Sequence, residues 1–221
     1  MPIQTEYVLQ EDLTENDFVR LAESEAVAID TEMTGLNPHR DLLCLVQVCD
    51  HDGYVNFIRT RDWSKAEYLK KLLADEKIMK IFHFALMDGS FLLKNTGVEP
   101  RNVYCTKVAS KIARTYSPDH GLSKLVNELL DVKLDKTQQT SFWLSSKLSQ
   151  DQLRYAANDV MWLNELRAEL EHIMKQKGDL PTGLSYQELN EKCRIFLPTL
   201  IQLFLNGWQI GQSDRNAIFA H

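Results

Sequence analysis

The chain has 221 residues, of which 44% are hydrophobic and 25% are charged, and its formal net charge at pH 7 is −6. This length allows one complete hydrophobic core, with at most a small appendage. The negative charge argues against a protein that holds long nucleic acid on a broad basic face, so any nucleic-acid substrate is expected to be short or held locally.

Cysteine usage and hydropathy indicate a soluble, cytoplasmic protein without a membrane partner. No CxxC spacing occurs, and no histidines stand at zinc-finger spacing. The tract 195–205 is interrupted by Pro198 and is too short to span a bilayer, and the N-terminus has no basic start followed by an apolar block. Buried free thiols in a reducing compartment are expected for most of the cysteines, which are Cys44, Cys49, Cys105 and Cys193.

Short apolar runs and helix-start signals alternate along the chain. Strands are predicted where apolar runs lie between turn residues, at 26–33, 42–48, 53–58, 78–82 and 103–105. Helices are predicted to begin at hydroxyl caps followed by an acid or amide, or to follow a strand, at 14–23, 64–74, 88–97, 106–115, 122–130, 149–175 and from 185 onward.

This order predicts an α/β fold in which helices cover a mixed sheet. A brief meander of strands comes first, and strand–helix alternation follows. We expect residues 1–177 to form the main domain. Residues 178–221 are expected to add a C-terminal helix and tail, packed on the same domain or used in an oligomer interface.

Two acids one residue apart lie in the run at 26–35, at Asp30 and Glu32. Because side chains two apart on a strand point to the same face, both carboxylates should project together. Neighbouring acids on a buried sheet lose hydration and repel each other unless a cation neutralises them. A solvent-facing edge strand would explain the same pattern, so the pair indicates a site only if other acids converge on it.

Three later residues can supply that convergence. Asp88 follows a predicted strand, and Tyr155 and Asp159 lie four apart on the helix 149–175, hence one turn apart on one face. Taken singly, Asp88 reads as an acid that stabilises a helix N-terminus, and the Tyr/Asp pair reads as a surface hydrogen bond. The combination of Asp-x-Glu, a separate Asp and a late Tyr-x-x-x-Asp favours a site.

That combination resembles the DEDDy class of 3′→5′ exonucleases, the ribonuclease D-like branch of the ribonuclease H-like fold. Further segments are similar to the nanoRNase C type of oligoribonuclease. They cover essentially the whole chain: His83-Phe84-Ala85, Tyr104-Cys105-Thr106-Lys107, Arg114-Thr115-Tyr116, His120-Gly121-Leu122, Gln138-Gln139, Tyr155-Ala156-Ala157-Asn158-Asp159, Phe196-Leu197-Pro198-Thr199, Gly207-Trp208 and Ile218-Phe219-Ala220-His221. The resemblance implies a ribonuclease H-like mixed five-stranded sheet flanked by helices, with a helical C-terminal extension.

The residue types suit phosphodiester hydrolysis. Two Mg²⁺ or Mn²⁺ ions about 3.5–4 Å apart can neutralise the attacking and leaving oxygens, and hard divalent ions prefer oxygen ligands. The expected metal ligands are Asp30, Glu32, Asp88 and Asp159. Tyr155, whose unperturbed pKa would be about 10, is a poor base at neutral pH, so we expect it to orient the water that the metal acidifies.

The resemblance also implies substrate contacts. An apolar or aromatic surface beside the terminal nucleotide can stack on a base, and it is expected at Met33, Thr34, His83 and Phe84. Ordinary packing around the sheet would explain each of these equally well. Candidate phosphate contacts, each of which could instead be a solvated surface charge, are Arg114, His120 and Lys124.

Two departures from the family pattern bear on substrate preference. Leu86-Met87 stands where relatives often carry Arg-Phe, and Phe142 precedes Trp143 where Asp is usual. Neither departure removes an expected metal ligand.

The leading hypothesis is a metal-dependent 3′→5′ exoribonuclease that degrades short single-stranded oligoribonucleotides, dinucleotides included, to 5′-mononucleotides. Enzymes of this type form ring-shaped homo-octamers, so a large homo-oligomer is expected. Its contact surface, or a tail packed on its own domain, would include Trp208, Ile210, Ile218 and Phe219. The alternatives are a ribonuclease D-like tRNA 3′-processing nuclease, a short-DNA exonuclease and an inactive RNA-binding module. The last is disfavoured because all four acids are present. Neither substrate length nor a preference for RNA over DNA follows from the sequence.

Overall fold

A computed structural model describes residues 7–135, 137–138 and 141–207. Within these residues the strands are β1 Leu9–Gln10, β2 Ala26–Met33, β3 Leu43–Cys49, β4 Val55–Ile58, β5 Met79–Phe82 and β6 Val103–Cys105. The helices are α1 Glu15–Ala22, α2 Glu67–Ala74, α3 Ala85–Thr96, α4 Thr106–Ala113, α5 Leu122–Leu130, α6 Gln150–Met161, α7 Leu163–Lys175 and α8 Tyr186–Asn206.

The strands form one mixed sheet in the order β1-β4-β3-β2-β5-β6. The meander β2–β3–β4 is antiparallel, and β5 and β6 continue the sheet in parallel from β2. All five predicted strands are present, and none of their ends is displaced by more than two residues. The sheet has one strand more than predicted, β1, which pairs with β4. The sequence did not predict β1 because two residues are too few to show an alternating pattern.

The side chains of β2 point alternately into two hydrophobic cores, one on each face of the sheet. Val27 and Ile29 face the core that contains residues of α2, α3 and α8, whereas Ala26 and Ala28 face the core beneath α4 to α7. Asp30 continues the second set, so it emerges on the α6 side of the sheet. Because the side chains of β2 alternate between its two buried faces, the position of each acid along the strand determines which helices it faces.

Capping chemistry places most helix starts where the sequence predicted them. Reciprocal capping boxes open α1 from Thr14, α6 from Ser149 and α8 from Ser185. The capping box predicted at Ser64 is wrong. The Asp12 carboxylate accepts hydrogen bonds from the backbone N–H groups of the first turn of α2, and this long-range partner replaces a local cap.

The single helix predicted at 149–175 is also wrong, because it divides at Trp162 into α6 and α7. Helix α6 packs over β2, β3 and β4, whereas α7 packs over β2 and β5 and against α4. Val160 and Leu163 flank the division, and both are buried. The apolar spacing therefore continues across a break in the helix that the spacing does not reveal.

Helix α8 closes the opposite face by packing along α3. Ile201 fits directly against Gly89, where a β-carbon would lie 2.5 Å from its Cδ1 atom. Leu197 and Ile201 thereby join the core on that face. None of the described helices combines the length and the hydropathy needed to cross a bilayer. Of the tail, Trp208, Ile210, Ile218 and Phe219 lie outside the described residues.

Candidate active site

Three carboxylates converge where β2 meets α6. One oxygen from each of Asp30, Glu32 and Asp159 lies within 4.8 Å of the other two. The pleat of β2 gives Asp30 and Glu32 a common face, and α6 lies across that face with Asp159 directed at it. The predicted convergence of β2 with the late helix is therefore present.

Crowding of like charges perturbs these acids strongly. Burial raises the pKa of Asp30 well above its usual value, and the neighbouring charges of Asp88, Asp159 and Glu32 add to the effect. Burial, Asp159 and Asp88 likewise raise the pKa of Glu32. In the part of the chain that the structure describes, no lysine or arginine forms an ion pair with Asp30, Glu32 or Asp88. The electrostatics favour either bound protons or a cation.

Asp88 stands apart from the three clustered carboxylates but close enough to feel their charge. It occupies the first turn of α3 and accepts a hydrogen bond from the Thr31 hydroxyl at 2.6 Å. Burial raises the pKa of Asp88 to about 7, although the Thr31 hydrogen bond acts in the opposite direction. Thr31 points to the α3 side of β2, where it binds Asp88. Its neighbours Asp30 and Glu32 point to the α6 side.

Tyr155 lies one helical turn before Asp159 and beside Trp143. The Trp143 and Tyr155 rings are 6.2 Å apart between centroids. Burial raises the pKa of Tyr155, as do the Asp159 carboxylate and the hydrogen bond between them. The phenol therefore keeps its proton at neutral pH, as its predicted role requires.

Gln47 is a site residue that sequence reasoning missed. It is fully buried on β3, directly opposite Asp30, and its Nε2 donates to Asp30 Oδ2 at 3.1 Å. An amide inside the otherwise apolar run 43–49 was the available signal. Thr31, enclosed by two acids in the sequence, was missed in the same way.

A groove of about 410 Å³ opens over the carboxylates, a size typical of small-ligand sites. Met33 and Thr34, both predicted to contact substrate, are among the groove residues. The complete lining is Asp30, Thr31, Glu32, Met33, Thr34, Gly35, Leu36, Ser141, Trp143, Tyr155 and Asp159.

His83 and Phe84 do not line this groove but follow β5, the strand beside β2. Burial lowers the pKa of His83 to about 4, and the Lys107 ammonium adds to this effect, so the ring is neutral at pH 7. Its Nδ1 lies 3.0 Å from the Thr106 hydroxyl. The Phe84 ring is partly exposed, with the Lys107 ammonium 4.4 Å from its centroid.

The predicted phosphate contacts lie outside the groove lining, at the end of α4, in the loop that follows it and on α5. Arg114 is fully buried and donates to Glu128, to the Asp119 carbonyl and to Ser110. His120 Nδ1 lies 2.9 Å from the same Ser110 hydroxyl. Arg114 is therefore neither solvated nor directed at the groove.

The remaining predicted positions are distributed as follows. Lys124 is exposed on α5. Leu86 and Met87, the family departures in α3, are half-buried against the core. Phe142 is exposed beside the groove residues Ser141 and Trp143.

Comparison with known proteins now identifies the family. A family model described as 3′-5′ exonuclease matches residues 5–175, more than three quarters of the chain. The chain belongs to the 3′-5′ exonuclease family. Ribonuclease D of Desulfotalea psychrophila is 33% identical over 146 residues, which are 66% of this chain and 39% of the relative. The chain therefore spans about two fifths of the length of that exonuclease.

Solved exonucleases share the fold over nearly the whole chain. Brucella melitensis NrnC superposes with a TM-score of 0.85 and 44% identity, covering 96% of this chain and 97% of that one. NrnC has also been solved with bound Mg²⁺ and bound to pGG. Escherichia coli RNase D gives a TM-score of 0.71 and 26% identity, covering 90% of this chain and 51% of the RNase D chain. The predicted resemblance and the ribonuclease H-like fold class are confirmed.

The carboxylate cluster fits a divalent cation such as the Mg²⁺ with which NrnC has been solved. Its donors are all carboxylate oxygens, which hard cations such as Mg²⁺ prefer. The pKa values of Asp30 and Glu32 are raised because burial and repulsion disfavour their ionised forms, and a bound cation would relieve that repulsion. We therefore take Asp30, Glu32 and Asp159 as the residues that would hold a divalent ion.

Proposed function

We propose that this protein is a metal-dependent 3′→5′ exoribonuclease that removes 5′-mononucleotides from short single-stranded RNA, dinucleotides included. The observation that carries the proposal is the convergence of Asp30, Glu32 and Asp159 below an open groove. Family membership supplies the reaction class. The similarity to NrnC, which has been solved bound to pGG, supports a short substrate.

Two Mg²⁺ or Mn²⁺ ions are proposed, with Asp88 as the fourth ligand. The ions would neutralise charge on the phosphoryl oxygens and acidify the attacking water. Asp88 is included because it is buried and because its charge raises the pKa of both Asp30 and Glu32. In the structure its carboxylate is held by Thr31, so binding a second ion would require Asp88 to share or exchange that hydrogen bond.

Tyr155 orients the water in this proposal. Because its pKa is raised, the hydroxyl stays protonated and can donate to Asp159. Its oxygen lone pairs remain able to accept a hydrogen bond from water in the groove. Contact with the Trp143 ring restrains the phenol at the groove wall. Tyr155 therefore supplies orientation, while the metal supplies the acidification.

Substrate contacts are proposed along the edge of the sheet. Met33 and Thr34 would face the terminal nucleotide, and Phe84 would offer an exposed ring for stacking. His83 is neutral, so it would contact a base or sugar more readily than attract a phosphate. His120 and Lys124 would meet phosphate further along, with Arg114 fixing the loop that carries His120.

A time course on labelled RNA tests the proposal. RNAs of two to seven nucleotides, and DNA of the same lengths, would each be incubated with Mg²⁺ or Mn²⁺ and with EDTA. We expect metal-dependent release of 5′-mononucleotides and faster loss of RNA dimers than of longer RNAs. Accumulating dimers would contradict the dinucleotide assignment but leave the exonuclease intact.

The same assay separates the competing functions. A ribonuclease D-like role, favoured by the similarity to ribonuclease D, would appear as preferential trimming of a tRNA with a 3′ extension. Faster loss of the DNA ladder would indicate a short-DNA exonuclease. Binding of RNA without any cleavage would indicate an inactive module.

A homo-oligomer, with an octameric ring as the specific form, is also proposed. Support comes from α8, which presents four exposed apolar side chains on the described surface: Ile195, Phe196, Leu200 and Leu203. Exposed apolar patches commonly mark interaction surfaces. On this proposal, residues 1–177 form the exonuclease domain, and α8 both packs on it and contributes to the interface. Light scattering of the wild type and of Phe196→Glu tests this, and an unchanged mass would place the interface elsewhere.

Cytoplasmic location is proposed from the thiols. The described cysteines are free, and three of them are buried. Burial raises the pKa of Cys44 to about 11, so this thiol stays protonated and unreactive. Fractionation of cells that express the tagged chain would test the location.

A further inference from the structure

Gln47 combines two features that packing alone does not explain. The side chain is fully buried, and the surrounding face of β3 is apolar at Leu45 and Cys49. Its carbonyl oxygen Oε1 is buried without a hydrogen-bond partner among the described residues. A methionine would fill similar space with no unpaired atom, so the amide is costly at this position.

The donor side of the same amide has a defined target. Antiparallel pairing sets Gln47 opposite Asp30, and Nε2 donates to Asp30 Oδ2 at 3.1 Å. That bond fixes one oxygen of the Asp30 carboxylate, which also accepts a backbone hydrogen bond from Thr31. It also restrains the rotation of a side chain that is crowded by Glu32 and Asp159.

We infer that Gln47 is a positioning residue that holds Asp30 in the orientation required to bind a divalent cation. This inference rests on the proposed metal site and names a part of it outside the four acids. Groups that hydrogen-bond a metal ligand orient it, and removing them typically weakens metal affinity or activity by about 10–100-fold. Gln47 acts through Asp30 and does not itself touch the substrate.

The deciding measurement is calorimetric titration of Mn²⁺ or Mg²⁺ into the substrate-free protein. Gln47→Met keeps the volume and removes the donor, and we expect its metal affinity to fall by about 10–100-fold. Turnover of this variant should recover as metal concentration rises, which a purely structural defect would not allow. Affinity equal to that of the wild type would overturn the inference.

Asn56→Leu is the matched control. Asn56 is another buried amide, on the neighbouring strand β4, but it lies between Asp17 and Arg20 of α1, away from the acids. Its replacement should lower thermal stability and leave metal affinity within about twofold, because no metal ligand depends on it. An equal loss of affinity in both variants would show that general destabilisation is responsible, and would overturn the inference.

Two further variants keep the result interpretable. Gln47→Asn retains an amide but shortens its reach by one methylene, so it tests the bond if Gln47→Met fails to fold. It should also weaken metal binding, and wild-type affinity would count against the inference. Asp30→Asn tests the site itself. If wild type and Asp30→Asn bind metal equally, the proposed metal site fails, whereas loss in Asp30→Asn with none at Gln47 rejects only the role of Gln47.

Discussion

Two clusters of buried charge in this fold are handled in opposite ways. At the end of α4, the buried guanidinium of Arg114 is paired with Glu128 of α5, and its other donors reach Ser110 and the Asp119 carbonyl. Between β2 and α6, by contrast, Asp30, Glu32 and Asp159 crowd together. One cluster carries its own counter-charge, and the other accumulates charge of a single sign.

The difference separates a charge that the fold itself neutralises from charges that are available to a ligand. Arg114 is satisfied by its own chain, so ligand binding would have to break existing bonds to use it. The acids gain from a cation, because repulsion from neighbouring carboxylates raises the pKa of both Asp30 and Glu32. A group of buried charges of one sign is therefore the better indicator of a site.

Neutralising one clustered acid gives the largest expected effect. Asp159→Asn should lower kcat by about 10³-fold or more, equivalent to roughly 4 kcal/mol, because it removes a proposed ligand of the metal that would stabilise the transition state. The metal-free variant should be at least as stable as the wild type, since Asp159 raises the pKa values of Asp30 and Glu32. Kinetics on an RNA dimer and thermal melts in EDTA measure both quantities.

Asp151→Asn is the control on the same helix. Asp151 pairs on the surface with Arg154. Its loss should leave activity unchanged and stability within about 0.5 kcal/mol. A destabilised Asp159→Asn protein with substantial activity would remove the contrast between the two clusters.

The next largest effect concerns the phenol of Tyr155, which hydrogen-bonds to Asp159. Tyr155→Phe should reduce kcat by about 10²-fold, in the range found for groups that assist proton transfer. Metal affinity should be retained, because the phenol is not a ligand. Calorimetry and kinetics on the same preparation check this. Near-normal turnover would refute the role of Tyr155, and Tyr54→Phe, at an exposed residue just before β4, provides a neutral comparison.

Local patterns were sufficient to predict the acids but not the groups that support them. Asp30 and Glu32 follow from a period of two along one strand. Tyr155 and Asp159 follow from one turn of a helix. Their convergence still needed the family resemblance, because no local rule brings α6 onto β2. The supporting bond from Gln47 to Asp30 crosses between strands, and it depends on a register that the sequence alone does not specify.

The same limit explains the errors in the fold. Asp12 caps α2 from 56 residues away, so the local signal at Ser64 was misleading. The division at Trp162 leaves the apolar spacing intact. Arg114 illustrates the limit most clearly, since a lone arginine looks alike whether it is solvated or paired with Glu128. Long-range partners, and not residue types, decide each of these cases.

Removing Arg114 from its buried ion pair should change the free energy of unfolding more than it changes kcat. Arg114→Met removes hydrogen bonds to Glu128, Ser110 and the Asp119 carbonyl, and it should cost about 2–3 kcal/mol. Glu128 is partly exposed and can rehydrate, so the loss should stay below that of a fully buried pair. Urea denaturation measures the change, and kcat should stay within about threefold, because Arg114 lies outside the groove.

The surface arginine Arg154 supplies the comparison for that measurement. Arg154→Met should shift stability by less than about 0.5 kcal/mol. If Arg114→Met instead leaves stability unchanged and mainly raises KM, Arg114 binds substrate phosphate directly. The two clusters would then both be functional.

The smallest expected effect is a pH dependence of stability, whose slope should vanish or change sign when Mg²⁺ is bound. The folded pKa of Asp88 is about 7, against 3.8 for an unperturbed Asp, so the folded state binds the extra proton between these values. Stability is therefore lost as pH rises from about 4 to 7, by up to about 1.4 kcal/mol per pH unit for one proton, and the last part of the loss, under about 1 kcal/mol, falls between pH 6.5 and 8.5. His83 acts in the opposite sense between its folded pKa of about 4 and the usual 6.5, which makes pH 6.5–8.5 the informative window.

In EDTA, Tm should fall across that window, by roughly 2–4 °C for each kcal/mol lost. Asp88→Asn should flatten the fall, because it removes one of the titrating acids. With saturating Mg²⁺ the slope should vanish or reverse, since the ion binds the ionised carboxylates and stabilises the fold more as they deprotonate. Identical slopes with and without Mg²⁺ would mean that the crowded acids do not hold a cation. The contrast with the Arg114 cluster would then have no functional meaning.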